Sequence, residues 1–305
     1  MKKALLGGWL ACLMCLVAIS NGDAADKVIK MSTTTSTQAS GLLDVLLPEL
    51  QEDTGIEVKV IAKGTGAAIR DGMDGNVDVI FVHAIDREKQ FVADGYGTKR
   101  YPVMHNDFVI LGPKSDPAGI QGMTDAVAAF KRIATAKAMF VSRGDDSGTH
   151  TKEQALWKAT GLPMKTVTRE IVKKGKAREV RFTHPEGLGK WYMSIGQGMG
   201  KTIVFTDEKQ AYTLADRGTY IKYKLGRDQG LGLEVLCEGD KALYNPYGVI
   251  PVNPEKFADA NPPIQHDLAK AFAEWLVSPK GQSLIANYRL MGKPLFFPDA
   301  IPNAK

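Results

Sequence analysis

The sequence predicts an α/β protein with two units arranged as a bilobed clamshell around a ligand cleft. Strand and helix patterns alternate through the first part of the chain, and a second run of elements begins after a polar linker. Two loops rich in hydroxyl side chains each follow a predicted strand, one in each unit. Because ligands of open α/β sheets bind beyond the carboxyl ends of the strands, we expect these loops to hold one ligand from two sides.

The elements of the first unit follow from two periodicities. Alternating or continuous apolar residues indicate strands, and apolar residues three and four positions apart indicate helices. In chain order, these patterns predict a strand at 28–31, a helix at 41–52, a strand at 56–62, a helix at 65–73, a strand at 77–82, a helix at 86–93 and a strand at 107–111. Strands that alternate with helices in this way are typical of a parallel sheet.

The second unit begins after a linker at 114–119, whose Pro and Gly residues favour irregular structure. The patterns then predict a helix at 124–136 with Thr124 as its N-cap, a strand at 138–141, a helix at 150–160, a basic irregular stretch at 164–186, a helix at 188–196, apolar segments at 233–236 and 248–252, and closing helices at 264–275 and 280–287. We expect lobe I to comprise residues 26–111 and 213–305, and lobe II residues 112–212.

Residues 1–25 have the three parts of a secretory signal peptide. Lys2 and Lys3 precede an apolar run at 4–19, and small residues follow it. The run is too short for a comfortable membrane span. We therefore expect export, with cleavage after Ala24 or Ala25.

Composition narrows the class of protein. Of 305 residues, 44% are hydrophobic and 24% are charged, which are ordinary values for globular domains. The net charge of +5 is compatible with an anionic ligand, but no long Lys/Arg run indicates a nucleic-acid partner. Cys12 and Cys15 fall inside the signal peptide, so only Cys237 remains and we expect no internal disulfide.

The first hydroxyl-rich loop, residues 32–37, holds six Ser and Thr side chains in a row. One or two of them could simply cap the next helix, but six directly after a strand favour ligand contact. We expect Thr34, Thr35 and Ser36 to bind the ligand. Thr65, which lies between two glycines after the next strand, is a further candidate, although a glycine turn with a helix cap explains the same residues.

The second loop has the composition of an anion site. Arg143 supplies a planar cation, and Ser147, Gly148 and Thr149 lie close to a predicted helix start, where backbone N–H groups can point at an anion. We expect all four residues to contact the ligand.

Two carboxylates accompany this arginine. We expect either Asp145 or Asp146 to orient the guanidinium from behind while its outer N–H groups face the cleft. The alternative is a purely structural ion pair between Arg143 and one of these aspartates.

The chain shows no catalytic or metal-binding pattern. Residues 196–202 resemble a P-loop, but Ile195 stands where its first glycine is required. Ser147 lacks the flanking glycines of a nucleophile elbow, and the five histidines lack metal-ligand spacing. We therefore expect a binding protein and not an enzyme, with no cofactor and no protein-ligated metal.

Four segments together resemble the periplasmic tungstate-binding proteins, the TupA family of bacterial tungstate ABC transporters. These segments are 33–43, 81–84, 106–113 and 142–151. The family's TTTS motif falls on 33–36 and its SRGDxSGTH motif on 142–150, which makes Arg143 the family's arginine. The resemblance covers most of the mature chain and implies a type II periplasmic-binding fold, in which two crossover strands join the lobes.

The resemblance also implies a function. It implies a periplasmic protein, expected to be a monomer, that binds tungstate or molybdate between its lobes and delivers the anion to an ABC permease in the inner membrane. Tungstate has four acceptor oxygens and no proton, whereas hydrogen phosphate carries a proton and needs an acceptor. A phosphate receptor of the same fold is thus an alternative if Asp145 or Asp146 faces the ligand. An exported enzyme acting on phosphate esters is a more distant one.

Overall fold

The computed structural model describes residues 27–145, 147–173, 176–186, 189, 191–226 and 230–300. The predicted signal peptide lies outside these ranges. The described strands are β1 (Val28–Thr34), β2 (Glu57–Lys63), β3 (Val79–Val82), β4 (Tyr101–Pro113), β5 (Phe140–Ser142), β6 (Met164–Lys173), β7 (Lys176–Pro185), β8 (Tyr192–Ser194), β9 (Thr213–Asp216), β10 (Leu233–Cys237), β11 (Tyr244–Pro251), β12 (Arg289–Leu290), β13 (Lys293–Pro294) and β14 (Phe297–Pro298). The described α-helices are α1 (Thr35–Ser40), α2 (Leu42–Thr54), α3 (Thr65–Met73), α4 (Ile85–Ala93), α5 (Ala126–Ala136), α6 (Gly148–Ala159), α7 (Met199–Glu208), α8 (Arg217–Leu225), α9 (His266–Leu276) and α10 (Pro279–Asn287).

The main sheet has eight strands in the order β10-β4-β11-β3-β1-β2, and β9 and β14 also pair with β4. Strand β1 is parallel to both β2 and β3, as the alternation of strands and helices predicted. Strand β11 is antiparallel to β3 and to β4. The carboxyl ends of β1 and β3 therefore meet the amino end of β11 at one edge of the sheet, and the candidate site lies there.

Strand β4 connects the two lobes. Its first part, up to Asp107, pairs with β11, and its second part pairs with β9 and β10. The chain leaves lobe I along β4 and returns along β9, which runs antiparallel beside Phe108–Leu111. These are the two crossover strands of a bilobed type II fold, so the predicted fold class is confirmed. The exact lobe boundaries stay a prediction.

Buried apolar clusters lie in both lobes. In lobe I, α2, α9 and α10 pack on the sheet, and the core includes the fully buried Phe272. The closing helices are fixed to this lobe because Gln282 Nε2 donates to the carbonyl of Val103 at 2.9 Å. In lobe II, the rings of Phe130 and Phe140 lie 5.3 Å apart, and those of Phe130 and Trp157 lie 4.3 Å apart. This aromatic cluster supports β5, from which the Arg143 loop starts.

Two predictions for lobe II were wrong. The stretch 164–186 is not irregular, because β6 and β7 pair along their whole length as an antiparallel hairpin. The Val and Thr residues of this stretch favour strands, but the many basic residues beside them led to the prediction of irregular structure. A strand that faces solvent can carry such charges. The predicted helix at 188–196 instead contains β8, which is parallel to β5. Residues 188 and 190 of that prediction lie outside the described residues.

Two helix starts also differ from the predictions. Asp125, and not Thr124, caps α5, since its carboxylate accepts from the backbone N–H of Ala128 at 2.8 Å. Residues 32–37 do not form a loop, because β1 continues to Thr34 and α1 follows at once. Gly41, with a φ of 85°, ends α1 in the left-handed conformation that favours glycine.

Among the described residues, no helix combines the length and the apolar character needed to cross a membrane.

Phe140→Ala is expected to destabilise the protein by about 3–5 kcal/mol, because it removes a fully buried ring and leaves a cavity in lobe II. Leu225→Ala is the matched control, since Leu225 is 48% exposed and should change stability by about 0.5 kcal/mol or less. Urea unfolding measures both changes. Equal losses for the two variants would contradict the place of Phe140 in the core.

Candidate functional site

The hydroxyl side chains at the end of β1 and the start of α1 lie in different surroundings. Thr33 lies inside the sheet and donates to the carbonyl of Phe81 at 2.6 Å. Thr34 is 3% exposed and caps α1 by accepting from the backbone N–H of Thr37 at 3.2 Å. Thr35 and Ser36 are exposed in the first turn of α1. The structure therefore separates two buried hydroxyls from two that are open to solvent.

His83, directly after β3, is the polar centre of this edge of the sheet. Its Nε2 lies 3.1 Å from Thr34 Oγ1 and 3.4 Å from Ser36 Oγ, and its Nδ1 lies 3.0 Å from Asn245 Oδ1. Its ring stacks on Tyr247 with the centroids 4.7 Å apart. Burial lowers the pKa of His83 below its ordinary value, so the imidazole is neutral at pH 7.

The contacts of His83 belong to a closed circuit of hydrogen-bonding side chains. Asn245 Nδ2 donates to Asn106 Oδ1 at 2.7 Å, and Asn106 Nδ2 donates to the Tyr247 hydroxyl at 3.3 Å. The Tyr247 hydroxyl contacts Thr37, whose Oγ1 lies 2.6 Å from that of Thr34. We call the following residues the polar circuit: Thr34, Thr37, His83, Asn106, Asn245 and Tyr247.

Sequence reasoning missed most of this polar circuit. His83 and Asn106 lie in segments that carry the family resemblance, and this was the only signal for either residue. Asn245 and Tyr247 gave no signal, because only the pairing of β11 with β3 and β4 brings them to this edge.

Arg143 follows β5 and forms an ion pair with a carboxylate of its own loop. Its Nη2 donates to Asp145 Oδ2 at 2.7 Å, and its Nη1 donates to Thr149 Oγ1 at 3.2 Å. The side chain of Arg143 is 15% exposed and that of Asp145 is 7% exposed. In the part of the chain that the structure describes, Arg143 Nε is buried without a hydrogen-bond partner. The guanidinium therefore keeps donor capacity for a further acceptor.

Asp145 is turned towards its own loop. Its Oδ1 accepts from the backbone N–H of Ser147 at 3.3 Å, so both of its oxygens have donors within the loop. The turn before it depends on Gly144, which has a φ of 57° and at which a Cβ atom would lie 1.9 Å from Ser194 Oγ. Asp146 lies outside the described residues.

The first turn of α6 lies against the polar circuit of lobe I. Ser147 caps this helix by accepting from the backbone N–H of His150 at 3.3 Å, and the first turn contains no acidic residue. A Cβ atom on the exposed Gly148 would lie 3.8 Å from Cε1 of His83. The fold thus brings together the two loops that the sequence singled out.

Thr65 is placed less directly. It is the first residue of α3, after the N-cap Gly64. The register of β1 and β2 pairs Thr34 with Lys63, so Thr65 lies at the same edge of the sheet. It is half-buried and stands outside the polar circuit.

Glu153 lies buried in α6 behind the Arg143 loop. Its Oε1 accepts from the Tyr192 hydroxyl at 2.8 Å and from Trp157 Nε1 at 3.2 Å. Burial raises the pKa of Glu153 to about 7, and the nearby negative charge of Asp145 acts in the same direction. Lobe II therefore holds a carboxyl group that titrates near neutral pH.

The groups that converge here are mainly donors. They are the exposed hydroxyls of α1, the guanidinium of Arg143, and the backbone N–H groups at the start of α6. Within the described ranges, no cluster of three or more His, Cys, Asp or Glu side chains could hold a metal ion. Such an arrangement suits an anion that brings acceptors and no proton.

Known proteins are similar to this chain over most of its length. Residues 21–280 match the model of the PBP superfamily domain. The tungstate-binding protein TupA of Peptoclostridium acidaminophilum is 48% identical over 276 residues, which cover 89% of this chain and 86% of the relative.

Two solved structures are also similar to this chain over most of its length. The tungstate-binding protein TupA from Desulfovibrio alaskensis G20 is 46% identical, with a TM-score of 0.78 over 90% of this chain and 99% of that one. The tungstate ABC transporter structure from Geobacter sulfurreducens is 45% identical, with a TM-score of 0.67 over 87% of this chain and 100% of that one.

Glu153→Gln is expected to stabilise the protein at pH 8 but not at pH 4.5. The pKa of this carboxyl is about 7 in the folded state against an ordinary value of 4.5, so the stability linked to its proton is full below pH 4.5 and is lost as the pH rises through 7. Glutamine keeps the accepting oxygen and removes the charge, with a gain at pH 8 on the order of 3 kcal/mol at most.

Thermal unfolding between pH 4.5 and 8 measures this gain. Glu170→Gln, at an exposed position, is the control and should show no pH-dependent difference from the parent protein. A Glu153→Gln variant whose stability follows the parent at every pH would contradict the assignment.

Proposed function

Because this chain belongs to the TupA family of tungstate-binding proteins, within the PBP superfamily, we propose that it binds the tungstate dianion between its lobes. It serves as the periplasmic oxyanion-binding component of an ABC importer and delivers the anion to a permease in the inner membrane. Molybdate, which has the same charge and nearly the same size, is the expected competitor.

The ion pair between Asp145 and Arg143 is the observation that favours tungstate over hydrogen phosphate as the ligand. Both carboxylate oxygens of Asp145 accept from donors in their own loop, so each has less capacity left to accept a proton from a ligand. Hydrogen phosphate needs an acceptor for its proton, whereas tungstate at neutral pH has none to donate. The geometry of Asp145 thus favours a proton-free oxyanion over phosphate.

We infer that donors from both lobes contact the oxyanion. In lobe II these are Arg143, whose Nε has no hydrogen-bond partner among the described residues, and Ser147, Gly148 and Thr149 at the start of α6. In lobe I the exposed hydroxyls of Thr35 and Ser36 are the first candidates. Thr34 and Thr65 are proposed as further contacts, with Thr34 requiring a rearrangement of the bonds that now engage its hydroxyl.

The proposed function also includes the location of the protein, its oligomeric state and the fate of its ligand. We propose that the mature protein begins after Ala24 or Ala25, acts as a monomer in the periplasm, and needs no cofactor. It binds and releases its ligand unchanged, with the lobes moving about the crossover strands. The transport proteins among its relatives support this assignment over an enzymatic one.

A thermal-shift screen against tungstate, molybdate, phosphate and sulfate tests the ligand class. A ligand that binds only the folded state at about 100 times its Kd adds about 2.7 kcal/mol, which is a rise of several degrees in Tm. Tungstate and molybdate should produce this rise, and phosphate and sulfate should not. A rise with phosphate alone would support the phosphate receptor instead.

Arg143→Gln is expected to weaken tungstate binding by about 100-fold or more, because a buried charged hydrogen bond to the dianion is lost and Asp145 is left without its cation. Titration calorimetry measures the change. Arg132→Gln is the control, since Arg132 donates to the carbonyl of Gly119 on the surface of lobe II. Equal affinities for the Arg143 variant and the parent would remove Arg143 from the site.

A further inference from the structure

The polar circuit has a direction, which is set by its two asparagines. Asn245 Nδ2 donates to Asn106 Oδ1, so Asn245 Oδ1 is left to accept from His83 Nδ1–H. In a neutral imidazole the other nitrogen, Nε2, is then an acceptor. Two hydroxyls lie within reach of Nε2, and that of Thr34, at 3.1 Å, is closer than that of Ser36, at 3.4 Å, so we assign Thr34 as its donor.

This direction commits the proton of the Thr34 hydroxyl to His83. Thr34 Oγ1 accepts from the backbone N–H of Thr37. If the circuit keeps this direction, it also accepts from the Thr37 hydroxyl and gives its one proton to His83. With His83 neutral, lobe I therefore offers neither the Thr34 proton nor any positive charge from the circuit to a ligand.

Protonation of His83 reverses this arrangement. Both nitrogens of the imidazolium donate, so Thr34 Oγ1 becomes the acceptor of Nε2–H and its own proton is released. Ser36 Oγ, 3.0 Å from Thr34 Oγ1, lies between this hydroxyl and solvent. The same event places a positive charge beside the first turn of α6, where Gly148 faces His83.

The charged groups around the imidazole are compatible with this change. Asp216, the last residue of the crossover strand β9, favours the imidazolium. Tyr247 is neutral, because burial raises the pKa of its hydroxyl far above the ordinary value. On α6, Lys152 lies one turn beyond Gly148, near the carboxylate of Asp86 on α4. The first turn of α6 contains no acidic residue, and α1 contributes hydroxyls only.

We propose that His83 is a positioning residue that takes up a proton when the oxyanion binds, which adds a second cation to the site and turns the Thr34 hydroxyl towards the ligand. This inference rests on the proposed binding of a dianion in the cleft. Burial lowers the pKa of His83 in the ligand-free protein, and a dianion close by raises it. Each unit of that rise corresponds to about a tenfold difference in affinity between the two protonation states.

Titration calorimetry of tungstate at pH 7 in buffers of different ionisation enthalpy tests the proposal. Tungstate brings no proton at this pH, so a dependence of the observed enthalpy on the buffer reports protons taken up by the protein. The parent protein should take up a fraction of one proton per tungstate. His83→Gln, which can still hydrogen-bond but cannot be protonated, should bind more weakly by about tenfold and take up none.

Three further variants distinguish His83 from other sources of the proton. His266→Gln should behave as the parent, because His266 contacts Val252 at the opposite end of β11 from Asn245. Glu153→Gln should take up as many protons as the parent protein. A loss of uptake in this variant would show that Glu153, the second buried titratable group, accepts the proton. Asn245→Asp places a carboxylate against Nδ1 and should protonate His83 before binding, so that the uptake at pH 7 falls while tungstate still binds.

The outcomes separate this inference from the proposed function. Tungstate binding without any buffer dependence, or with equal uptake in His83→Gln, would overturn the role of His83 and leave the function intact. If His83→Gln fails to fold, equal uptake in Asn245→Asp and in the parent would overturn it instead. Absence of both a thermal shift and binding heat with tungstate and molybdate would contradict the proposed function itself.

Discussion

The guanidinium of Arg143 and the carboxylate of Asp145 lie 2.7 Å apart in a loop supported by the aromatic core of lobe II, and the chemistry of the cleft depends on this pair. The carboxylate fixes the orientation of the arginine and satisfies two of the donors in the loop. Because it does so, the negative charge of Asp145 is balanced within the loop. An arginine without this partner would be mobile, and an aspartate without the arginine would repel an anion.

The sheet supplies the opposite wall of the cleft by pairing strands that are distant in sequence. Strands β1 and β3 end side by side, and β11 enters between β3 and β4 from the other direction. Asn245, near the start of β11, therefore contacts both His83 after β3 and Asn106 within β4. A closed set of hydrogen bonds of this kind leaves few groups unsatisfied, so it holds the start of α1 in a defined position.

The sequence predicted what local pattern determines. Periodicity predicted most of the parallel strands and their helices, and the loop at Arg143 was evident because its cation, hydroxyls and glycines are contiguous. Two kinds of feature could not be predicted. Asn245 joins the site only through the register of β11. Thr34 could not be told from Thr35, because β1 runs to Thr34 and buries it, whereas the next residue begins a helix and is exposed.

The charge of a bound dianion has to be balanced by groups from both lobes. The Arg143–Asp145 pair is neutral as a unit, so a dianion that enters beside it brings two negative charges that the pair does not cancel. The first turn of α6 offsets roughly half a charge. Exposed hydroxyls of α1 contribute dipoles but no net charge. A protein of this design therefore gains from a further cation that forms only when the anion is present, since a permanent second charge in the empty cleft would be costly to desolvate. An imidazole within the polar circuit, next to Gly148, is the described group placed to supply it.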